Sequence, residues 1–379
     1  MAITVHSNPQ DYTPSDNPVT WVFSSDQTAQ PNFVYKCVII IAGVSNSTHL
    51  VFPEVDEYAH FDISQILKSE VNTPLIEQTN VSDDAANYET IALQISESYG
   101  EPPVGGATVS DSGYYAFKGR LDDYDFIDYL ESNYYWITDF PSTEQYKVGY
   151  NEELRLQVKN DGTAPTITIT LKDVNGSTIA SDTEVLDSNN RISQLNLKPS
   201  FLVANTTLTQ ANFDSAYTME LSTSDIGKGV RTFYVDNECE LYDNRRFLFL
   251  SKIGSLEAFT FSKLSRQTTT GQGKNYTRQF GEWVGQDFQY NKSTGRNINY
   301  INEAQDSLLC NSDWIAEGVQ NWLVKNLNES PMVFLQDGDD LRRVVVTSKG
   351  HTEKKRVNDM LFNEVLEVEY SNNRTSPLI

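Results

Sequence analysis

Leu154-Arg155-Leu156-Gln157-Val158, followed by Thr166-Ile167-Thr168-Ile169-Thr170-Leu171, decides the fold class of this 379-residue chain. In both runs every second residue is aliphatic, and most of those between are polar. A period of two places Leu154, Leu156 and Val158 on one face of a strand. It places Ile167, Ile169 and Leu171 on one face of the next. Asn160-Asp161-Gly162 and Asn175-Gly176 supply the turn chemistry that joins short antiparallel strands. Strands of this length with this punctuation predict a sandwich of immunoglobulin-like spacing over 151–240.

The same alternation recurs outward in both directions. Strands are predicted at 20–23, 33–42, 49–52 and 88–96, where Ile91, Leu93 and Ile95 share a face. Asp62-Ile63-Ser64-Gln65-Ile66-Leu67 reads as a short helix, with Asp62 as N-cap and Gln65 closing a capping box. Beyond the sandwich, strands are predicted at 247–250, 258–261, 332–336, 342–347 and 361–370. The Thr-, Gly- and Gln-rich stretch 265–275 reads as an exposed loop. Ile315, Val319, Trp322, Leu323 and Leu327 form one stripe at helical spacing and predict a helix over 313–328. The class is therefore mainly β, a multidomain sandwich-like architecture with one amphipathic helix in the C-terminal module. The expected division is 1–98, a bridge at 99–150, 151–240 and 241–379. The bridge rests on Gly100-Glu101-Pro102-Pro103-Val104-Gly105-Gly106, which excludes a helix or a central strand.

The net charge of -23 argues against nucleic acid or anionic lipid as a main partner. Its distribution is uneven. Residues 1–150 carry 22 Asp/Glu against 5 Lys/Arg, whereas residues 243–300 carry 4 against 9. An acidic end and a basic end on one chain suit head-to-tail association between copies. The candidate contacts are Arg245, Arg246, Lys263, Arg266, Lys274 and Arg278, with 265–275 as an arm.

Chemistry-bearing patterns are sparse. The three cysteines, Cys37, Cys239 and Cys310, make neither a C-x-x-C pair nor an even disulfide framework. The four histidines, His6, His49, His60 and His351, fall in no metal-ligand spacing. No nucleophile elbow or phosphate-binding loop occurs. The expectation is a non-enzyme with no cofactor and no catalytic metal. Met1-Ala2-Ile3-Thr4-Val5-His6 lacks the basic and apolar regions of a signal peptide, and no apolar run has the length of a membrane span. Asp122, Asp123, Asp125 and Asp128 suit either Ca²⁺ or a solvated acidic face, and the EF-hand spacing is missing. Tyr124, Tyr134, Tyr135 and Trp136 form a candidate glycan platform, with packing between sheets as the alternative.

Three groups of motifs resemble a known family. The first is Thr28-Ala29-Gln30-Pro31-Asn32-Phe33-Val34-Tyr35 with Phe61-Asp62-Ile63-Ser64-Gln65-Ile66-Leu67. The second is Tyr99-Gly100-Glu101, Leu121-Asp122-Asp123-Tyr124-Asp125-Phe126-Ile127-Asp128-Tyr129 and Trp136-Ile137-Thr138-Asp139-Phe140-Pro141. The third runs from Phe249-Leu250-Ser251-Lys252-Ile253-Gly254-Ser255-Leu256-Glu257-Ala258-Phe259-Thr260-Phe261 through Pro331-Met332-Val333-Phe334-Leu335 to the stretch 355–370. In this order they resemble virion proteins of tailed bacteriophages and prophages of Bacteroidota, encoded near tape-measure and baseplate genes. Ser255 departs from the pattern, where a second Gly is usual. The resemblance implies a structural component of the tail tip or baseplate, made in the host cytoplasm and carried in the virion. Its implied partners are itself, as a ring, and other virion proteins. The alternative is a receptor- or glycan-binding module on the same particle.

Overall fold

The computed structural model describes residues 2–72, 78–85, 87–130, 132, 135–160, 164–225, 227–237, 241–290, 295–348, 361–372 and 374–375. Strands make up 53% of the chain and helices 11%, as the alternating pattern predicts. The chain divides into two units: 1–237 with 250–258, and 238–249 with 259–379.

In the first unit, a three-stranded sheet is ordered Ile3–Ser7, Thr20–Ser25, Tyr58–Asp62. It faces a five-stranded sheet ordered Tyr12–Pro14, Val104–Phe117, Tyr88–Tyr99, Val34–Ile41, Val44–Val51. Alternation does the work. Tyr35, Cys37, Ile39 and Ile41 turn inward from one strand and meet Trp21, Phe23, Leu93 and Ile95 in a common core. Each such apolar side chain contributes on the order of 1.5–3 kcal/mol by leaving water. Ile63 and Leu67 of the helix Ser64–Glu70 add to that core. The helix starts one residue later than predicted, with Ile63 at the N-cap position and no capping box. The Asp62 carboxylate still accepts from the Ser64 amide at 2.9 Å and from the Val19 amide at 3.0 Å.

The remaining strands of this unit form two further sheets. One is ordered Trp136–Ile137, Arg155–Lys159, Ile192–Asn196, Ser82–Asp84. The other is ordered Lys147–Gly149, Arg231–Asp236, Thr218–Thr223, Thr166–Lys172, Thr178–Val185. Ile167, Ile169 and Leu171 are buried as the sequence predicts. The Asp173 carboxylate closes the following turn by accepting from the Asn175 and Ser177 amides, and Gly176 takes the positive φ of +81°.

Two expected boundaries do not coincide with the sheets. Val104–Phe117, placed in a bridge by its Gly and Pro content, is a strand paired along Tyr88–Tyr99 from Tyr88↔Phe117 to Tyr99↔Val104. Gly100 to Pro103 make the turn of that hairpin rather than a linker. The sheet containing Arg155–Lys159 recruits Ser82–Asp84 from the N-terminal stretch and Trp136–Ile137 from the expected bridge. Residues 1–237 are therefore interleaved, not strung as beads.

The second unit is built on one antiparallel sheet. Its order is Leu256–Phe261, Arg245–Leu250, Val333–Asp337, Asp340–Val346, Leu361–Tyr370, Asn297–Ala316, Arg266–Thr277. Arg374–Thr375 also pairs with Asn297–Ala316. The amphipathic helix is present but shorter than predicted, Glu317–Asn326, with Val319, Trp322 and Leu323 buried. Trp314 and Ile315 belong to the preceding strand, because they pair with Asn363 and Phe362. The predicted loop 265–275 is also a strand, Arg266–Thr277. Its threonines suit a pleated surface, and Asn297–Ala316 supplies the ladder that a single sequence does not reveal.

Candidate functional site

The most distinctive surface is the ribbon made by Arg266–Thr277 and the start of Asn297–Ala316. The two strands pair from Arg266↔Leu309 to Thr277↔Asn297, with a bulge after Lys274. At ~3.3 Å per residue a 12-residue strand is about 40 Å long. All twelve residues of Arg266–Thr277 are exposed, and among the described residues the strand ends its sheet. An isolated two-stranded ribbon is marginal in water. Side-chain bonds tie this one together. Thr269 Oγ1 donates to Asp306 at 2.5 Å, and Thr277 Oγ1 donates to Asn297 at 2.9 Å. Arg374 pairs with Asp306 at 2.7 Å. The Thr269 hydroxyl, and then Arg374, hold the Asp306 carboxyl below the usual carboxylate range.

At its far end the ribbon carries a small hairpin, Glu282–Val284 with Asp287–Gln289. Four rings gather there. Trp283 and Phe288 have centroids 4.9 Å apart, Phe288 and Tyr290 5.0 Å, and Phe280 and Tyr290 4.9 Å. They pack on one another yet stay open to solvent, with Trp283 69%, Tyr290 63% and Phe280 56% exposed. A cluster of large exposed apolar groups on a soluble surface marks an interaction site. Gly281, at φ +92°, sits directly against the Phe288 ring, where a side chain would collide.

The predicted basic contacts separate into two groups. Arg266 and Lys274 are fully on the exposed strand, and Arg278 follows it, donating from Nε to the Gly295 carbonyl at 3.2 Å. The other three are committed elsewhere. Arg246 is buried and donates to Thr260 Oγ1 at 2.8 Å, so it is no surface contact. Arg245 donates to Ser265 and pairs with Asp243, and Lys263 pairs with Asp313 at 2.9 Å. The reason is that both faces of Arg245–Leu250 are covered: every residue from Arg246 to Leu250 is buried, so this strand leaves Arg246 no outward side.

Among the described residues the predicted glycan platform does not assemble. Tyr124 is 85% exposed, but Tyr135 is only 4% exposed, shares a hydrogen bond with Thr223 Oγ1 and lies beneath Lys228. Trp136 packs edge-on against Tyr135, and Tyr134 lies outside the described residues. The packing alternative therefore holds for Tyr135. Sequence reasoning missed the tip rings because Phe280, Trp283, Phe288 and Tyr290 are spread through a polar stretch. Their spacing around the turn Gly281 to Gly285 was the available signal.

Other candidates are ordinary in their settings. Asp122 pairs with Lys252 at 3.0 Å. No group of three His, Cys, Asp or Glu able to hold a metal occurs among the described residues. His6 bonds Ser24, and His49 bonds Ser47. His351 and Cys239 lie outside the described residues. Burial pushes the Cys37 and Cys310 thiols up to about 12, which disfavours the reactive thiolate. Ser255 is buried in the turn that follows Ser251, where the two hydroxyls bond at 2.8 Å and Ser255 donates to Glu257. No helix among the described residues is long and apolar enough to cross a membrane.

No family profile matches the chain, and no curated protein matches it. Solved structures similar to it include a titin segment at 11% identity and a TM-score of 0.26, covering 62% of this chain and 98% of that one. A Dpr2 Ig1-Ig2 complex with DIP-Theta Ig1-Ig3 is similar at 7% identity and a TM-score of 0.23, over 98% and 90%. Dimeric latent PorU from Porphyromonas gingivalis is similar at 8% identity and a TM-score of 0.19, over 90% and 33%. At these values the likenesses carry no functional argument.

Proposed function

We propose that this chain is a structural subunit of a bacteriophage tail, at the tail tip or baseplate. It is not an enzyme, and it works by contacts with copies of itself and with other virion proteins. The observation that carries the reading is the ribbon: a basic, wholly exposed terminal strand tipped with unshielded aromatic rings. An edge of unpaired backbone N–H and C=O groups is a template for another chain, and proteins ordinarily shorten or cover it. Here it is about 40 Å long at ~3.3 Å per residue. The order of the family-like motifs supports the tail context, and the uneven charge supports association between unlike surfaces of neighbouring copies. The test is antibody labelling of purified phage particles in the electron microscope. Label confined to the tail supports the reading, and particles that lack the chain overturn it.

A second reading, a host-glycan binder on the same particle, is favoured by the exposed indole of Trp283, since a flat ring can stack on a sugar. Glycan binding abolished by Trp283→Ala supports it, and the absence of binding to any host glycan removes it.

A further inference from the structure

The ribbon strand needs a surface to pair with, and the chain carries one edge that suits it. Four strands of six or more described residues end their sheets: Val44–Val51, Thr178–Val185, Leu256–Phe261 and Arg266–Thr277. Two of them hold acidic side chains that discourage edge pairing, Asp182 and Glu184 in one and Glu257 in the other. Arg266–Thr277 carries only the basic Arg266 and Lys274, which repel a like strand and suit an acidic neighbour. Val44–Val51 alone, Val-Ser-Asn-Ser-Thr-His-Leu-Val, contains no Asp, Glu, Lys, Arg or Pro. The loop after it exposes Phe52, Val55, Glu54, Asp56 and Glu57. From Cys37 to Leu67 the sequence has no Lys or Arg. An unguarded edge is thus bordered by acids and apolar groups, and the ribbon strand has basic residues and Tyr276 along its length.

We propose that the outer edge of Arg266–Thr277 in one copy adds onto the outer edge of Val44–Val51 in another, extending that copy's sheet by one strand. The inference rests on the reading of the chain as a self-assembling subunit and names the surfaces that meet. Backbone hydrogen bonds supply the pairing, and opposite charge fixes which edges pair and speeds encounter. Arg266 and Lys274 are eight residues apart, about 26 Å at ~3.3 Å per residue. In either strand direction one of them therefore comes to the Glu54–Glu57 side. Each copy donates one edge and receives another, so the contact is heterologous and builds a ring or a filament.

The experiment uses the full chain with Cys239→Ser. One preparation carries Thr48→Cys in the receiving strand, and the other carries Thr270→Cys in the donating strand. The two are mixed and treated with a short bis-maleimide. The inference predicts a cross-linked dimer containing one chain of each kind, which mass spectrometry of the linked peptides identifies. Charge reversal at Glu54→Lys, Asp56→Lys and Glu57→Lys weakens association about tenfold. Adding Arg266→Glu and Lys274→Glu to the same chain restores it. Light scattering runs alongside. If the chain self-associates but neither the cross-link nor the charge exchange appears, this inference is overturned and the assembly reading stands. A chain that remains monomeric throughout overturns both.

Discussion

The indole of Trp322 lies 5.3 Å, centroid to centroid, from the ring of Phe249, and 6.2 Å from that of Phe259. One side chain thereby fastens the helix Glu317–Asn326 to two strands of the second unit. Trp322 is 3% exposed. Trp322→Ala is expected to destabilise this unit by about 3–5 kcal/mol through lost transfer energy and the cavity left behind. Urea unfolding measures it, and a loss well under 1 kcal/mol would show that the ring does not anchor the helix.

The tip rings predict the opposite balance. Trp283 and Phe280 pack on rings of the small hairpin cluster and stay more than half exposed. Trp283→Ala is expected to shift stability by no more than about 0.5 kcal/mol, as for an ordinary surface position. It should still weaken association if the tip docks on a neighbour. Thermal melting and light scattering on the same sample separate the two effects. A large stability loss would recast the cluster as structural.

Asp182 gives a pH prediction. The Thr207 amide at 2.7 Å, with further help from the Thr183 amide and the Thr207 hydroxyl, holds its carboxyl below the usual range. A depressed folded pKa means that the charged form stabilises the fold above the ordinary carboxylate value of about 4. That contribution is lost as pH falls through the folded value. The melting-temperature gap between the wild type and Asp182→Asn should therefore be present at pH 7 and close on acidification below about pH 4. A gap that widens on acidification would reverse the sign.

The buried thiols give a fourth. With their pKa values pushed up to about 12 by burial, Cys37 and Cys310 should resist alkylation at pH 8 in the native protein and react on unfolding. Peptide-level mass spectrometry distinguishes them from Cys239. Rapid native labelling of Cys37 would mean that the first core opens.

What the sequence discloses is set by how local each cause is. Ile167, Ile169 and Leu171 alternate against hydroxyl residues, so their strand and its buried face are read directly. Gln157 alternates with Leu156 and Val158 in the same way, yet it is buried too, as are Ser193, Gln194 and Asn196 of the neighbouring strand, because both faces of their sheet are covered. Distant residues bond to this sheet: Asn87 donates to the Gln157 side chain, and Gln78 donates to the Gln194 backbone carbonyl. Spacing carries no trace of such pairings. The ribbon is hidden in the sequence for a related reason. Gly271-Gln272-Gly273 has loop composition, and only the ladder to Ala304, Glu303 and Asn302 makes it a strand. Charge alone marks the basic candidates and says nothing of burial. Arg246 sits in a strand covered on both faces, while Arg266 and Lys274 lie on the exposed edge.

The central claim is that the ribbon drives assembly. Its most direct test compares the wild type with a chain in which 272–303 is replaced by Asn-Gly. That turn closes the paired residues Gly271 and Ala304 as a short hairpin. Multi-angle light scattering of both, at low and high salt, reads the mass in solution. The account predicts a wild-type oligomer that loosens as salt screens the opposite charges, and a shortened chain that melts normally but stays monomeric. A monomeric wild type at high concentration and low salt, or a shortened chain that assembles equally well, would contradict it.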